Sequence, residues 1–101
     1  MVVFSFSQYG TDFGTRDMGA RIREQLLPLV MGEECVVLDF TGVNVVSNSF
    51  ADECIAKLLL EMPLGELKKR TTFRGLNPLA KTSILTALQR RYRVMNEKEE
   101  Q

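Results

Sequence analysis

Residues 35–62, CVVLDFTGVNVVSNSFADECIAKLLLEM, decide the fold class of this chain. The stretch opens with a continuous apolar run that ends in an aspartate, which is typical of a strand covered on both faces of a parallel sheet. From Ser49 to Met62 the apolar residues recur at helical spacing, and Pro63 and Gly65 end the predicted helix. A buried strand followed closely by an amphipathic helix indicates an α/β architecture.

The flanking segments extend this pattern to a β-α-β-α-β-α order. They predict a strand at 2–7, a helix at 16–30 capped by Thr15 or Asp17, a strand at 69–74, and a helix after an Asn77-Pro78 cap that continues to about Met95. We expect a small, mostly parallel sheet in one domain, residues 1–96, followed by a flexible acidic tail at 97–101. Three helices cannot easily cover both faces of such a sheet, which favours a homodimer or docking to a partner.

The composition excludes several functional classes. The chain is 45% hydrophobic and 26% charged, without histidine, so His-based catalysis and His-ligated metals are excluded. Cys35 and Cys54 make a poor zinc site and suit buried, reduced thiols in a cytoplasmic protein. No apolar run approaches the roughly 18 residues of a membrane span, and the first residues lack a secretory signal. We therefore expect a cytoplasmic binding domain with no cofactor, metal, membrane or enzymatic function.

Charge is distributed unevenly along the chain. Residues 1–66 carry ten acidic and four basic side chains, whereas residues 67–96 carry eight basic side chains and no acidic one. A surface polarised in this way favours electrostatically steered contact with a partner or head-to-tail self-association.

The basic segment 68–93 also supplies an alternative function, which is nucleic-acid binding. Its candidate contacts are Arg90, Arg91 and Arg93, and Arg16 is a candidate anion contact near the same strand ends. The segment has neither RNP-like aromatics nor helix-turn-helix spacing, and a basic helix face is usually only solvated.

At the carboxyl end of the central strand, DFTGVNVVSNSF (39–50) resembles the motif of STAS domains, the fold of the bacterial anti-sigma-factor antagonists. Those domains have an Asp-Leu-Ser-x-Val turn, an apolar pair, and Asp-Ser-Ser-Gly opening a helix. The chain is more similar to a family of STAS-like domains of unknown function, in which DFSGV is followed by S-x-SFAD and an apolar helix. DFTGV and SNSFADE fit that pattern, and the similarity covers roughly residues 35–93.

The resemblance implies a regulatory, protein-binding module in bacterial signalling. In the antagonists, a GHKL-type ATPase kinase binds the unmodified domain and phosphorylates a serine at the helix start, so the implied partner is a kinase of this type. The position aligned with that serine is Asn48, which cannot be phosphorylated. Ser47 replaces the preceding aspartate and Phe50 replaces the glycine, so the remaining candidate phosphoacceptors are Ser47 and Ser49.

The predicted partner-binding surface is the loop and helix start at 47–52, together with the end of the central strand. Its residues are Asp39, Ser47, Asn48, Ser49, Phe50 and Asp52, with Phe50 as an apolar anchor. Structural roles compete with these assignments. Ser49 and Asp52 have the spacing of a capping box, and Asp39 at a strand end can fix the following turn through backbone N–H groups.

Overall fold

Residues 1–99, which the computed structural model describes, contain five short strands, four α-helices and two 3₁₀ segments. The strands are β1 (Val2–Ser5), β2 (Asp12–Phe13), β3 (Val36–Asp39), β4 (Val45–Val46) and β5 (Thr71–Arg74). The α-helices are α1 (Arg16–Val30), α2 (Asn48–Cys54), α3 (Leu64–Arg70) and α4 (Pro78–Glu99), and the 3₁₀ segments are Phe6–Tyr9 and Ala56–Leu60. The predicted α/β class with a parallel sheet is confirmed. None of these described helices is long and apolar enough to cross a bilayer.

The central sheet consists of β1, β3 and β5, in that order and all parallel. Its register places Phe4 opposite Leu38 and Leu38 opposite Phe73. Because the strand order follows the chain in one direction, right-handed crossovers bring the intervening helices to the same face of the sheet. Phe4 and Leu38 are buried in the main core on that face.

The other face of the sheet is open at its edges. Val3, which is 49% exposed, lies opposite Val37, and Val37 lies opposite the exposed Thr72. Val37 is buried but lies outside the main core cluster. The apolar run at 35–40 predicts a strand covered on both faces, and Val36, Val37 and Leu38 of β3 are all buried, so the exposed part of this face belongs to the edge strands β1 and β5. The homodimer expected for an incompletely covered sheet stays a prediction.

A second parallel pair, β2 with β4, is not among the strands predicted from the sequence. Asp12 lies opposite Val45 and Phe13 opposite Val46. The pairing continues where the Ser47 N–H donates to the Phe13 carbonyl at 2.9 Å. Since α1 follows β2 and α2 follows β4, this two-stranded ladder sets the starts of the two helices side by side.

The helix predicted at 16–30 is confirmed as α1, and it packs closely on α2. Thr15 is its cap, because its Oγ1 accepts the Met18 N–H at 3.1 Å. Gly19 is buried at the helix crossing. A Cβ at this position would lie 2.9 Å from the Glu53 Cβ and 3.2 Å from the Phe50 carbonyl oxygen. The absence of a side chain at Gly19 therefore allows the two backbones to approach.

The start of α4 is held by Asn77, as the Asn-Pro pair predicts. The Asn77 Oδ1 accepts the Ala80 N–H at 2.8 Å, which caps the helix. The Asn77 amide donates to the carbonyls of Val43, at 3.2 Å, and Asn44, at 2.9 Å. One side chain thus starts α4 and ties it to the loop before β4.

The region between Ser49 and Arg74 differs most from the prediction. The helix expected at 49–62 is α2 followed by a 3₁₀ segment, and a further helix, α3, occupies 64–70. Pro63 does not close a helix here but is the N-cap residue of the next one, with an extended backbone at φ −62° and ψ 155°. Because Lys69 and Arg70 belong to the last turn of α3, the strand expected at 69–74 begins at Thr71.

Cys35 departs from the burial expected for both cysteines, and α4 extends beyond its expected end at about Met95. Cys35 precedes β3 and is exposed rather than buried, whereas Cys54 is buried and burial raises the pKa of its thiol to about 12. The backbone stays helical through Glu99, and the rest of the acidic tail predicted at 97–101 lies outside the described residues.

Replacing Gly19 with alanine should destabilise the protein. Helix propensity alone would favour alanine by up to ~1 kcal/mol. The new methyl group, however, meets a Cβ and backbone atoms that cannot rotate away. Overpacking of this kind costs ~1–3 kcal/mol, so urea unfolding should show a lower free energy of unfolding.

Gly65 in α3 provides the matched control, because a Cβ there meets no atom within 4 Å. Gly65→Ala should raise the free energy of unfolding by up to ~1 kcal/mol. Equal stabilisation by both substitutions would show that the α1–α2 crossing does not depend on Gly19.

Candidate partner-docking surface

An open cleft of about 370 Å³ lies between the start of α2 and the C-terminal half of α4. We call it the arginine cleft, and it is lined by Arg16, Asn48, Ser49, Asp52, Thr86, Ala87, Arg90, Arg91 and Val94. Six of these residues are sequence-predicted contacts, although they come from three separate parts of the chain. The structure therefore joins the predicted partner surface to the predicted anion contacts.

Asp52 is the centre of the ion-pair network in the cleft. Arg91 donates to both of its carboxylate oxygens, from Nε at 3.0 Å and from Nη2 at 2.7 Å. Arg16 donates from Nη1 to the Asp52 Oδ2 at 2.8 Å. The three side chains belong to α2, α4 and α1, so one carboxylate fixes the relative positions of all three helices.

The pKa of the Asp52 carboxyl reflects two opposing effects. Burial by itself would raise this pKa, but the hydrogen bonds from Arg91 and Arg16 outweigh it, so the pKa is lowered from 3.8. The hydrogen bond to Asp52 in turn raises the pKa of Arg16. Asp52 is therefore ionised at neutral pH, and it neutralises part of the positive charge in the cleft.

The neighbouring Glu53 forms a second ion-pair group behind the cleft wall. It is only 7% exposed, and it pairs with Arg23 at 2.8 Å, with Lys57 at 2.9 Å and, at 3.5 Å, with the same Arg16 that contacts Asp52. Arg23 also donates to the Glu53 backbone carbonyl. Burial would raise the pKa of Glu53, but these cations lower it from 4.5. Glu53 thus links α1 to α2, whereas the ion pair that links α2 to α4 is made by Asp52.

The start of α2 is capped by Ser47, which corrects the capping box expected for Ser49 and Asp52. The Ser47 Oγ accepts the Phe50 N–H at 3.0 Å. Because the cap lies two residues earlier than expected, Asp52 is too far along the helix to take part in capping, and it pairs with the arginines instead. Asn48 and Ser49 are exposed at the rim of the cleft, whereas Ser47 is half-buried.

Asp39 and Phe50 lie outside the cleft. Asp39 accepts hydrogen bonds from Arg74 Nη2 and from the Thr41 N–H, both at 2.9 Å. The Arg74 contact, followed by those of Thr41, holds the pKa of Asp39 well below its usual range. Phe50 has no exposed surface and packs on Phe13 with ring centroids 5.0 Å apart. Asp39 therefore fixes a turn, and Phe50 belongs to the core rather than to an exposed anchor.

Ion pairs also occupy part of the basic segment 68–93. Arg70 pairs with Glu66, Arg74 with Asp39, and Arg91 with Asp52. Arg93 is exposed and does not line the arginine cleft. These acidic partners interrupt the continuous basic surface that nucleic-acid binding would use.

Sequence reasoning missed the wall that α4 provides. Thr86, Ala87 and Val94 face the cleft between the arginines. Together with Arg90 and Arg91 they recur at spacings of three, four and seven residues, which follows the helical period, and that was the available signal. Among residues 1–96, no group of three or more Cys, Asp or Glu side chains is placed to hold a metal ion.

Comparison with known proteins gives one match. The family model described as "STAS-like domain of unknown function (DUF4325)" matches residues 18–80, which is more than half of the chain. The matched range includes the helix start at 47–52 but not Arg16, Arg90 or Arg91. No curated protein matches the chain, and no solved structure matches it.

Removing the Asp52 charge should weaken the fold in a pH-dependent way. A group whose pKa is lowered by folding stabilises the protein above its unfolded-state pKa, and this contribution is lost as the pH falls through the folded-state value. Asp52→Asn should therefore lower the free energy of unfolding by ~1–3 kcal/mol at about pH 7. The difference from the wild type should shrink in urea unfolding at about pH 3.

Asp17→Asn is the matched control, because Asp17 is 84% exposed and pairs only with Arg21 on the same helix. An exposed pair of this kind contributes little. A loss for Asp52→Asn no larger than for Asp17→Asn would contradict a structural role of the network.

Proposed function

The chain belongs to the family of STAS-like domains of unknown function (DUF4325), and we propose that it is a regulatory module that docks a signalling protein. The docking surface is the arginine cleft together with the helix start at 47–52. The proposed partner is a GHKL-type ATPase kinase or another signalling protein in the bacterial cytoplasm. The domain acts by binding and has no catalytic activity of its own.

The observation that carries this proposal is the juxtaposition of exposed and fixed groups at the start of α2. Asn48 and Ser49 are exposed at the rim, and the Asp52–Arg91 pair is held rigidly behind them. A surface whose side chains are already ordered loses less conformational entropy when a partner binds. Positive charge around an open cleft also steers the approach of an acidic partner.

Docking should be sensitive to bulk at Asn48. An arginine there adds a long side chain at the rim of the cleft, so its size keeps the partner from seating there, although its positive charge alone would attract an acidic partner. Asn48→Arg should weaken binding of a purified GHKL-type partner by at least tenfold in biolayer interferometry, or abolish its capture from cells of the source organism.

Gln25→Arg makes the same charge change at an exposed position of α1 away from the cleft. This variant should bind as the wild type does. If Asn48→Arg binds every partner as strongly as Gln25→Arg, the docking surface is elsewhere on the molecule.

Ser49 is the more accessible of the two candidate phosphoacceptors, because the Ser47 hydroxyl is half-buried and accepts the Phe50 N–H. Incubation with a partner kinase and ATP should therefore add ~80 Da, one phosphoryl group, only when Ser49 is present. Intact-mass measurement of the wild type and of Ser49→Ala checks this. If the mass of the wild type does not change, the phosphorylation prediction is wrong, and the docking proposal is unaffected.

A further inference from the structure

We propose that the arginine cleft binds a phosphate group carried on a serine or threonine side chain of the partner protein. This inference rests on the proposed docking function and names the chemistry that the cleft recognises. Its support is the arrangement of three guanidinium groups, from Arg16, Arg90 and Arg91, around one open cavity. None of the three lies in the range matched by the family model.

The cleft offers more hydrogen-bond donors than its own acceptors use. Asp52 takes Nε and Nη2 of Arg91 and Nη1 of Arg16. Nη1 of Arg91 and Nε and Nη2 of Arg16 donate to no acceptor among residues 1–96. Arg90 is exposed and makes no ion pair within the same residues. Because all three arginines line the cleft, these N–H groups are available to an anion that enters it.

The charge of the lining residues matches a phosphate monoester. Three guanidinium groups and one carboxylate line the cleft, which leaves a formal surplus of two positive charges. A phosphorylated side chain carries ~1.5–2 negative charges at neutral pH and three strong acceptor oxygens. A carboxylate side chain supplies one charge and two oxygens, so it would leave part of the surplus unpaired.

Asp52 prepares the site for this ligand. Its bidentate contact holds the Arg91 guanidinium in one orientation, and both side chains are largely buried, at 25% and 18% exposure. A planar guanidinium fixed in this way can present its remaining edge to two phosphate oxygens without further ordering. Asp52 is therefore a positioning residue, whereas Arg90 is free to close over the ligand.

The remaining lining residues favour a peptide over a nucleotide. Thr86, Ala87 and Val94 form a small aliphatic wall, and none of the nine lining residues is aromatic. A nucleobase would thus find no ring on which to stack. The Asn48 and Ser49 side chains at the rim can hydrogen-bond to the backbone of a peptide that carries the phosphate.

A titration of the ¹⁵N-labelled full chain with blocked tripeptides tests the proposal without any knowledge of the partner. The probes are acetyl-Ala-phosphoserine-Ala-amide, its serine and glutamate counterparts, AMP and inorganic phosphate. The phosphoserine peptide should shift the amides of Asn48 and Ser49 and the Nε resonances of Arg16 and Arg91. The other four probes should bind at least fivefold more weakly.

Two variants of α4 make the test specific. Arg90→Gln should weaken phosphopeptide binding about tenfold, as expected for the loss of one charge-assisted contact. Arg93→Gln removes the same charge from the same helix outside the cleft and should change the affinity less than twofold. Arg90 and Arg93 are both exposed, so neither substitution should destabilise the fold.

Several outcomes would overturn the proposal. Equal losses for the two variants would indicate non-specific attraction, and equal binding of the glutamate peptide would indicate a carboxylate ligand. If AMP or inorganic phosphate binds as tightly as the phosphopeptide, the ligand of the cleft is a small molecule and not a phosphorylated side chain. If phosphopeptide binding fails while partner binding still depends on Asn48, docking stands without the phosphate.

Discussion

The carboxylate of Asp52 lies where three helices meet, and the rest of the cleft depends on its contacts. It is anchored in α2, accepts two hydrogen bonds from Arg91 of α4, and accepts one from Arg16 at the first position of α1. Because each pair joins a different helix, the same bonds fix both the helix spacing and the direction of the guanidinium groups. One side chain therefore contributes both to the packing of the three helices and to the electrostatics of the candidate site.

Asp52 can make these contacts only because the backbone has already brought α1 and α2 together. The β2–β4 ladder aligns their first residues, and Gly19 lets the two helices approach until a Cβ would clash. Asn77 then places α4 against the loop before β4. The ion pairs therefore depend on close helix packing, which depends in turn on backbone pairing. A change at Gly19 should consequently disturb the cleft as well as the core.

Long elements with a regular apolar period were predictable from the sequence. Contacts between residues far apart in the chain were not. The boundaries of α1 and the cap of α4 follow from apolar spacing and from Asn77-Pro78. Strands of two residues are too short to show a period, so the sequence did not predict β2 and β4. Pro63 was interpreted as the end of a helix, although it is the N-cap residue of α3. The arginines were each identified, but nothing in their spacing could place Arg16 beside Arg91. The Ser49–Asp52 spacing fitted a capping box only because residues three apart share a helix face.

The electrostatics at the start of α2 are the reverse of those in a phosphoserine switch. A domain that is phosphorylated at this position gains negative charge there and repels an acidic partner. In this chain the aligned residue is Asn48, which takes no phosphate, and Arg16, Arg90 and Arg91 make the adjoining cleft positive. A negative group arriving at this surface is attracted instead of repelled. If docking is regulated by phosphorylation of the partner, that modification strengthens the complex, which is the opposite of the effect that a phosphate on the domain itself has in a phosphoserine switch.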